Sequence, residues 1–244
     1  MRKVVLLLLW MGALTASAVT HVYPRVASDT VFIVCPGGSY CWLDIKNEGT
    51  PTIQALQERG YDAYLLHYRV SGIFAHVMHS RLFYRGHQYP DALEDIKEAI
   101  REARKSHRVV GVIGYSAGGH LALLSAIEDR PDFVAAIYPV VTMRKPYVHK
   151  RSRRGLLGEY RKYNKTMQDS LSLERRAKDI KAPVFLLNCK DDPVVDYHHS
   201  VLMNEALKAE EKKHIYLQYE KGGHGFGIDK HNWLDIFLKW IKQI

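Results

Sequence analysis

Six short apolar runs punctuate this chain: Val31–Cys35, Ala63–Tyr68, Val109–Tyr115, Phe133–Tyr138, Val184–Cys189 and His214–Tyr219. Several place apolar residues at consecutive rather than alternate positions. A strand of that kind is stable only when both of its faces are covered. The intervening segments have helical period. Thr50–Arg59 is one, and Tyr89, Ala92, Leu93, Ile96, Ala99 and Ile100 share a face of the next. Leu121–Ile127 opens a third, Val201–Leu207 lies in a fourth and Trp233–Ile241 closes the chain. Strands alternating with helices predict βαβ units, and hence an α/β fold with a doubly wound, mostly parallel sheet. A length of 244 residues suits one domain with a sizeable core. Ahead of Val31 only Val19–Pro24 offers an extra strand, so the first edge of the sheet is expected to be small.

Two segments break the rhythm. Val70–His87 is rich in aromatic residues and histidine, and Thr142–Lys181 is strongly basic. Long connections in a compact domain are commonly lids or binding loops. The second is expected to form a small cap-like insertion at about 142–181. Its charge matters for the whole chain. Lys and Arg number 35 against 26 Asp and Glu, a net +9. The stretch Arg144–Lys178 holds twelve of those cations against only Glu159, Asp169 and Glu174, so it accounts for the entire excess. The remainder is balanced, which argues against a chain built around nucleic acid. No zinc-finger, basic-zipper or clear helix-turn-helix pattern is present.

The N-terminus reads Met1-Arg2-Lys3, an apolar run Val4–Leu14, then Ala16-Ser17-Ala18. A basic start, a short apolar run and an A-x-A site form the pattern of a cleavable export signal. Residues 1–18 are therefore expected to be a signal peptide and 19–244 a single exported domain, periplasmic or secreted. The apolar run is too short for a permanent membrane span, so no stable membrane anchor is expected. Cys35, Cys41 and Cys189 remain after cleavage. An odd count gives no complete disulfide framework. Cys35 and Cys41 either pair or serve as small buried hydrophobes, and no obligatory disulfide is expected. No His/Cys cluster has metal-ligand spacing, so neither a metal nor another cofactor is expected.

The chemistry is carried by three places. The run Val109–Tyr115 leads into Gly114-Tyr115-Ser116-Ala117-Gly118-Gly119-His120, immediately before a helix. This is G-x-S-x-G between a strand and a helix, the sequence of a sharp turn that projects a serine hydroxyl. The helix N-terminus aims free N–H groups at charge developing beside Ser116. A nucleophilic serine needs a base, and the base an orienting acid. His224 lies between glycines in Gly222-Gly223-His224-Gly225-Phe226-Gly227, at the end of the last apolar run. Asp191 and Asp192 both lie at the end of Val184–Cys189 and both fit a loose D-x-x-V spacing. The order Ser116, Asp, His224 is that of a strand-end triad, and each member falls at the carboxyl end of an expected strand. An oxyanion hole needs backbone donors. Ala117 supplies one, and Gly38 or Ser39, in Cys35-Pro36-Gly37-Gly38-Ser39-Tyr40, the other.

Assembled, these pieces resemble the α/β-hydrolase superfamily, and more narrowly the small bacterial serine esterases grouped with acetyl xylan esterases and feruloyl esterases. The matching residues span most of the chain: Cys35-Pro36-Gly37-Gly38, Asn47-Glu48-Gly49, His67-Tyr68-Arg69-Val70, Tyr89-Pro90-Asp91-Ala92-Leu93 and Gly114–His120. They continue through Ser152, Leu156-Leu157-Gly158, Asp191-Asp192-Pro193-Val194-Val195 and Gly222–Gly227. The resemblance favours Asp192 over Asp191 as the acid. It implies hydrolysis of acetyl- or feruloyl-type esters on plant-polysaccharide fragments, with a small-molecule or oligosaccharide ester as partner. The chain departs from the pattern at Ser39, where a third glycine is usual, and at Asp196, where a proline is. Two other readings are a serine peptidase of the same fold, which usually carries an additional gating domain for which the length leaves no room, and a non-catalytic polyanion-binding module. Over an esterase site, Arg144–Lys178 would form a lid rim that favours anionic or uronate-bearing substrates, and neutralising Arg151, Arg153 and Arg154 would test it.

Overall fold

The computed structural model describes residues 19–22, 27–73 and 86–244. The expected export signal at 1–18 and most of the 70–87 segment lie outside the described residues. The strands are β1 (Val19–Val22), β2 (Thr30–Cys35), β3 (Asp62–His67), β4 (Val109–Tyr115), β5 (Phe133–Ile137), β6 (Val184–Cys189) and β7 (His214–Tyr219). They form one sheet in the order β1-β3-β2-β4-β5-β6-β7. β1 runs antiparallel to β3, and every other neighbouring pair is parallel. The short strand expected near Val19 is thus an antiparallel edge. The helices are α1 (Thr50–Glu58), α2 (Asp91–Ala103), α3 (Ala117–Glu128), α4 (Lys150–Arg161), α5 (Lys165–Ser170), α6 (His198–Ala209) and α7 (Trp233–Ile241).

The consecutive apolar residues serve two cores. Val31, Ile33 and Cys35 of β2 face one core with residues of α2, α3 and α6. Phe32 and Val34 face the other, with residues of α1 and α7. The same alternation divides Val184 and Leu186 from Phe185 and Leu187 in β6. Burial on both faces is what removes the polar half of the strand pattern. On the α7 side Phe237 is fully buried, with ring centroids 5.9 Å from Phe32, 6.1 Å from Phe133 and 5.3 Å from Phe185. Truncating a side chain so placed costs about 3–5 kcal/mol.

Between β5 and β6 the expectation of a long loop is corrected. The segment is helical through α4 and α5, followed by a 3-10 turn at Leu173–Asp179. Its apolar residues, Leu156, Leu157, Leu171, Leu173 and Ala177, join the first core, and the cations that dominate its sequence lie largely around them. Two buried histidines fasten it. His120 accepts from the Tyr40 hydroxyl at Nδ1 (2.8 Å), and its Nε2 donates to the Leu171 carbonyl (2.9 Å). His199 accepts at Nδ1 from the N–H groups of Val141 (2.8 Å) and Thr142 (3.1 Å). Its Nε2 must then carry the proton, which it donates to the Tyr147 carbonyl (2.9 Å).

Burial pushes both imidazoles down from 6.5 to about 4. The unfolded chain takes up these protons near pH 6.5 and the folded protein only near pH 4. The stability they contribute is therefore complete above pH 6.5 and is lost as the pH falls toward 4, by about 3 kcal/mol for each. The thermal midpoint is expected to fall steeply over that window. In His120→Gln, with one such group gone, the slope of midpoint against pH should be clearly shallower; a slope equal to that of the wild type would contradict the assignment.

Candidate active site

β4 ends at Tyr115, α3 begins at Ala117, and Ser116 between them has φ 52° and ψ −115°. A non-glycine residue held there costs about 1–3 kcal/mol, so the surroundings must impose it. They do so by close packing. A Cβ at Gly114 would collide with the Gly118 carbonyl, and one at Gly118 with the Cys35 carbonyl. The two glycines let the first turn of α3 press against the ends of β4 and β2. The Ser116 N–H donates to the Ile137 carbonyl (2.9 Å), while its own carbonyl accepts from His120 (3.2 Å) and Val140 (3.1 Å).

The sheet brings the three expected triad residues together. His224 Nε2 lies 3.0 Å from Ser116 Oγ, and His224 Nδ1 lies 2.6 Å from Asp192 Oδ2. The other Asp192 oxygen accepts from the N–H groups of Val194 (2.8 Å) and Val195 (2.9 Å), which fixes a carboxyl only 1% exposed. The alternative left open by sequence is thereby separated. Asp191 does not reach His224; its carboxylate accepts from Gly223 (2.8 Å) and Gly222 (3.2 Å) and so holds the backbone of the histidine loop. The Gly223 N–H in particular keeps the Asp191 carboxyl below its ordinary range.

The candidate oxyanion residues lie on two turns that meet at the serine. A Cβ on Gly37 would sit 2.9 Å from Ser116 Cβ. Beyond Gly37 the chain makes a left-handed turn, with φ 123° at Gly38, 59° at Ser39 and 60° at Tyr40. Ser39 therefore occupies a conformation that glycine adopts without strain, which explains the glycine of the related pattern. The second departure, Asp196, accepts from the His198 N–H (2.9 Å) just ahead of α6. Ala117 follows Ser116 as the first residue of α3, where backbone N–H groups have no intrahelical acceptor.

Sequence reasoning did not single out Tyr138, and it took Glu48 only as part of a motif. Tyr138 follows β5 with φ 38°, and its ring centroid lies 4.6 Å from that of His224. Its hydroxyl donates to Glu48 Oε1 (2.8 Å) and accepts from the Gly227 N–H (3.2 Å). Glu48 Oε2 accepts from the Gly37 N–H (2.6 Å). Burial pushes the Glu48 carboxyl up to about 7, against the opposing pull of those two donors. His149, nearby, is pushed down to about 4, also by burial.

Beside the triad acid lies a cleft of about 440 Å³, lined by Tyr147, His149, Lys190, Asp192, Val194 and Tyr197 among others. Tyr147 and Tyr197 both stack on His198, with centroids 4.2 Å and 4.1 Å away. Of the three arginines that would test the cationic rim, one faces solvent. Arg151 is exposed, but Arg153 is half-buried and donates to the Met143 carbonyl (3.0 Å). Arg154 is buried, with Glu159 3.6 Å away. Other cations of the stretch are also engaged, Arg144 with Asp169 and Arg176 with Glu128. Cys35, Cys41 and Cys189 are all free and buried, so of the two readings of Cys35 and Cys41 the hydrophobe holds. No group of three potential metal ligands occurs among the described residues, and no helix among them is long and apolar enough to cross a membrane.

This sheet, with its strand-to-helix turn at Ser116, has the α/β-hydrolase fold. The chain belongs to the prolyl oligopeptidase family (Peptidase S9), whose sequence profile matches residues 49–244. It is 26% identical over 241 residues to an acetylxylan esterase of Xylanibacter ruminicola, a match covering 91% of this chain and 47% of that one. The chain thus spans about half the length of this curated relative. Among solved structures it is similar to an acetyl ester-xyloside bifunctional hydrolase from Caldicellulosiruptor lactoaceticus, with TM-score 0.77, 26% identity, and coverage of 93% of this chain and 87% of that one. An acylaminoacyl peptidase of Pyrococcus horikoshii shares the fold at TM-score 0.68 and 16% identity, with 90% of this chain matched to 38% of that one.

The two aspartates predict different outcomes. Asp192→Asn should lower kcat for a p-nitrophenyl ester by about 10³–10⁴-fold. Asp191→Asn should cost far less, because the loop keeps its other contacts. Equal losses in the two variants would contradict the separation.

Proposed function

We propose that the protein is an exported serine esterase that removes acetyl- or feruloyl-type groups from fragments of plant polysaccharide. The observation that carries the reading is the continuous hydrogen-bonded chain Asp192–His224–Ser116 beyond the carboxyl ends of β6, β7 and β4. Ser116 Oγ attacks the ester carbonyl as its proton passes to His224 Nε2, and Asp192 holds the imidazole in the tautomer that can receive it. Negative charge on the tetrahedral oxygen is met by the N–H of Ala117 and by that of Gly38 or Ser39. His224 then returns the proton to the departing sugar hydroxyl, leaving an acyl-enzyme. Water, activated by the same base, releases the acid and restores Ser116.

The esterase reading draws on the acetylxylan esterase and the acetyl ester-xyloside hydrolase to which the chain is similar, and export on the pattern of residues 1–18. The aromatic-lined cleft next to Asp192 suits the sugar side of the ester, being of the size of small-ligand pockets. A peptidase reading is favoured by the name of the family alone. The two separate on substrates: acetylated xylo-oligosaccharides against N-acylated peptide amides at matched concentration. We expect turnover of the former, and preferential turnover of the latter would overturn the reading.

Ser116→Ala should reduce p-nitrophenyl acetate hydrolysis to background in a protein of unchanged thermal midpoint; retained activity would remove the serine mechanism. Arg151 is an exposed cation on the segment that carries His149 and Arg153. Arg151→Gln is expected to raise KM severalfold for uronate-bearing esters and leave neutral esters unchanged. Equal effects on both would discard the cationic rim.

A further inference from the structure

A buried carboxyl group that the proposed chemistry does not use ties the site together. Glu48 is 2% exposed. One of its oxygens takes the Gly37 N–H at 2.6 Å, and the other takes the Tyr138 hydroxyl at 2.8 Å. Through Gly37 it reaches the turn that carries the oxyanion candidates. Through Tyr138 it reaches the loop of the base twice, by the Gly227 N–H at 3.2 Å and by the ring packed 4.6 Å from His224. The Glu48 carbonyl also accepts from Thr52 Oγ1 (2.5 Å), which contacts the hydroxyl of Tyr115, the residue before the serine, at 2.5 Å. Four strand ends thus converge on one residue. An apolar side chain in this place would leave the Gly37 N–H without its acceptor in a dry interior, which costs about 1–3 kcal/mol. When ionised, the carboxyl also interacts electrostatically with the imidazole of His224.

We infer that Glu48 is a positioning residue for the esterase reaction, a second carboxylate that locks the oxyanion turn to the histidine loop and supports positive charge on His224. The inference rests on the roles proposed above for Ser116, Asp192 and His224. The charge on His224 rises when it takes the serine proton, so Glu48 favours that state over the resting one to the extent that it is ionised, which, with its carboxyl pushed up to about 7, grows as the pH rises through 7. The other groups in this field are few. Asp44, on the turn before Glu48, and Tyr68, Tyr115 and Tyr138, from the ends of β3, β4 and β5, face Glu48. Asp192, His149 and Tyr138 face His224. The tyrosine hydroxyls are all pushed up by burial and stay neutral. Among these groups, then, Asp192 is the carboxyl in contact with His224, and Glu48 is the one behind Tyr138, charged once the pH exceeds about 7.

Glu48→Gln tests this. Glutamine keeps an acceptor for the Gly37 N–H, while its amide nitrogen meets the Tyr138 oxygen as a donor, so the variant removes the charge and reverses that one hydrogen bond. The first readout is independent of turnover: titration of the His224 ring by NMR, its signal assigned by loss in His224→Gln. In Glu48→Gln the His224 titration is expected to move to lower pH than in the wild type, and kcat to fall tenfold or more with KM within twofold. An unchanged His224 titration together with wild-type kcat in a folded Glu48→Gln would overturn the inference. Should Glu48→Gln not fold, Tyr138→Phe keeps the ring on His224 but cuts the link. It should show the same loss of kcat at constant KM, and wild-type kcat in it would overturn the inference equally. A wild type inactive on every ester counts against the esterase reading, while the His224 titration still decides the role of Glu48.

Discussion

The backbone of Gly118 lies directly against the carbonyl of Cys35, and the arrangement of the site depends on that contact. It presses the first turn of α3 onto the ends of β2 and β4 and forces Ser116 into a positive φ. The same approach brings the Gly37–Ser39 turn beside the serine. The strain is tolerated because both faces of the sheet are packed and the turn cannot relax without opening two cores. An added methyl group at either Gly114 or Gly118 would meet a carbonyl rather than a flexible side chain, so the glycines are fixed by sterics. Their role is not flexibility.

From that fixed point the parallel register distributes the remaining groups. Cys35 is paired with Gly114, Tyr115 with Ile137, Ile137 with Leu187 and Cys189 with Tyr219. Strands aligned in this way end at one level, and the residues just beyond them meet: Gly37, Ser116, Tyr138, Asp192 and His224. Around this line the polar groups are arranged in pairs with divided labour. Asp192 holds the imidazole while Asp191 holds the loop that carries it. His120 and His199 are kept neutral by burial and serve as hydrogen-bonding struts for the β5–β6 segment, whereas His224, 14% exposed, stands between the serine and the acid.

The strands and the order of the site residues were legible in the sequence for a physical reason. A sheet covered on both faces writes itself as unbroken apolar runs, and β4, β6 and β7 begin and end where those runs do. Ser116 was legible because Gly114 and Gly118 stand where a side chain could not fit, and His224 because the glycines beside it take a positive φ. Asp192 was not separable from Asp191 by spacing, since the difference is one of direction and only the β6–α6 turn decides it. The Thr142–Lys181 segment reads as a loop because cations obscure the stripe that includes Leu156, Leu157, Leu171 and Leu173, and arginine at 153 and 154 gives no sign of turning inward. Glu48 and Tyr138 left no local signal. Their partners are 11, 89 and 90 residues away in sequence, and such networks become visible only once the strands are aligned.

Covalent trapping of the nucleophile addresses the proposed mechanism most directly. The protein treated with a fluorophosphonate and analysed by peptide mass spectrometry should carry a single adduct on the peptide containing Ser116, formed orders of magnitude more slowly in Asp192→Asn. An adduct on a different residue, or none in a protein that hydrolyses esters, would contradict the assignment of Ser116, His224 and Asp192 to the reaction.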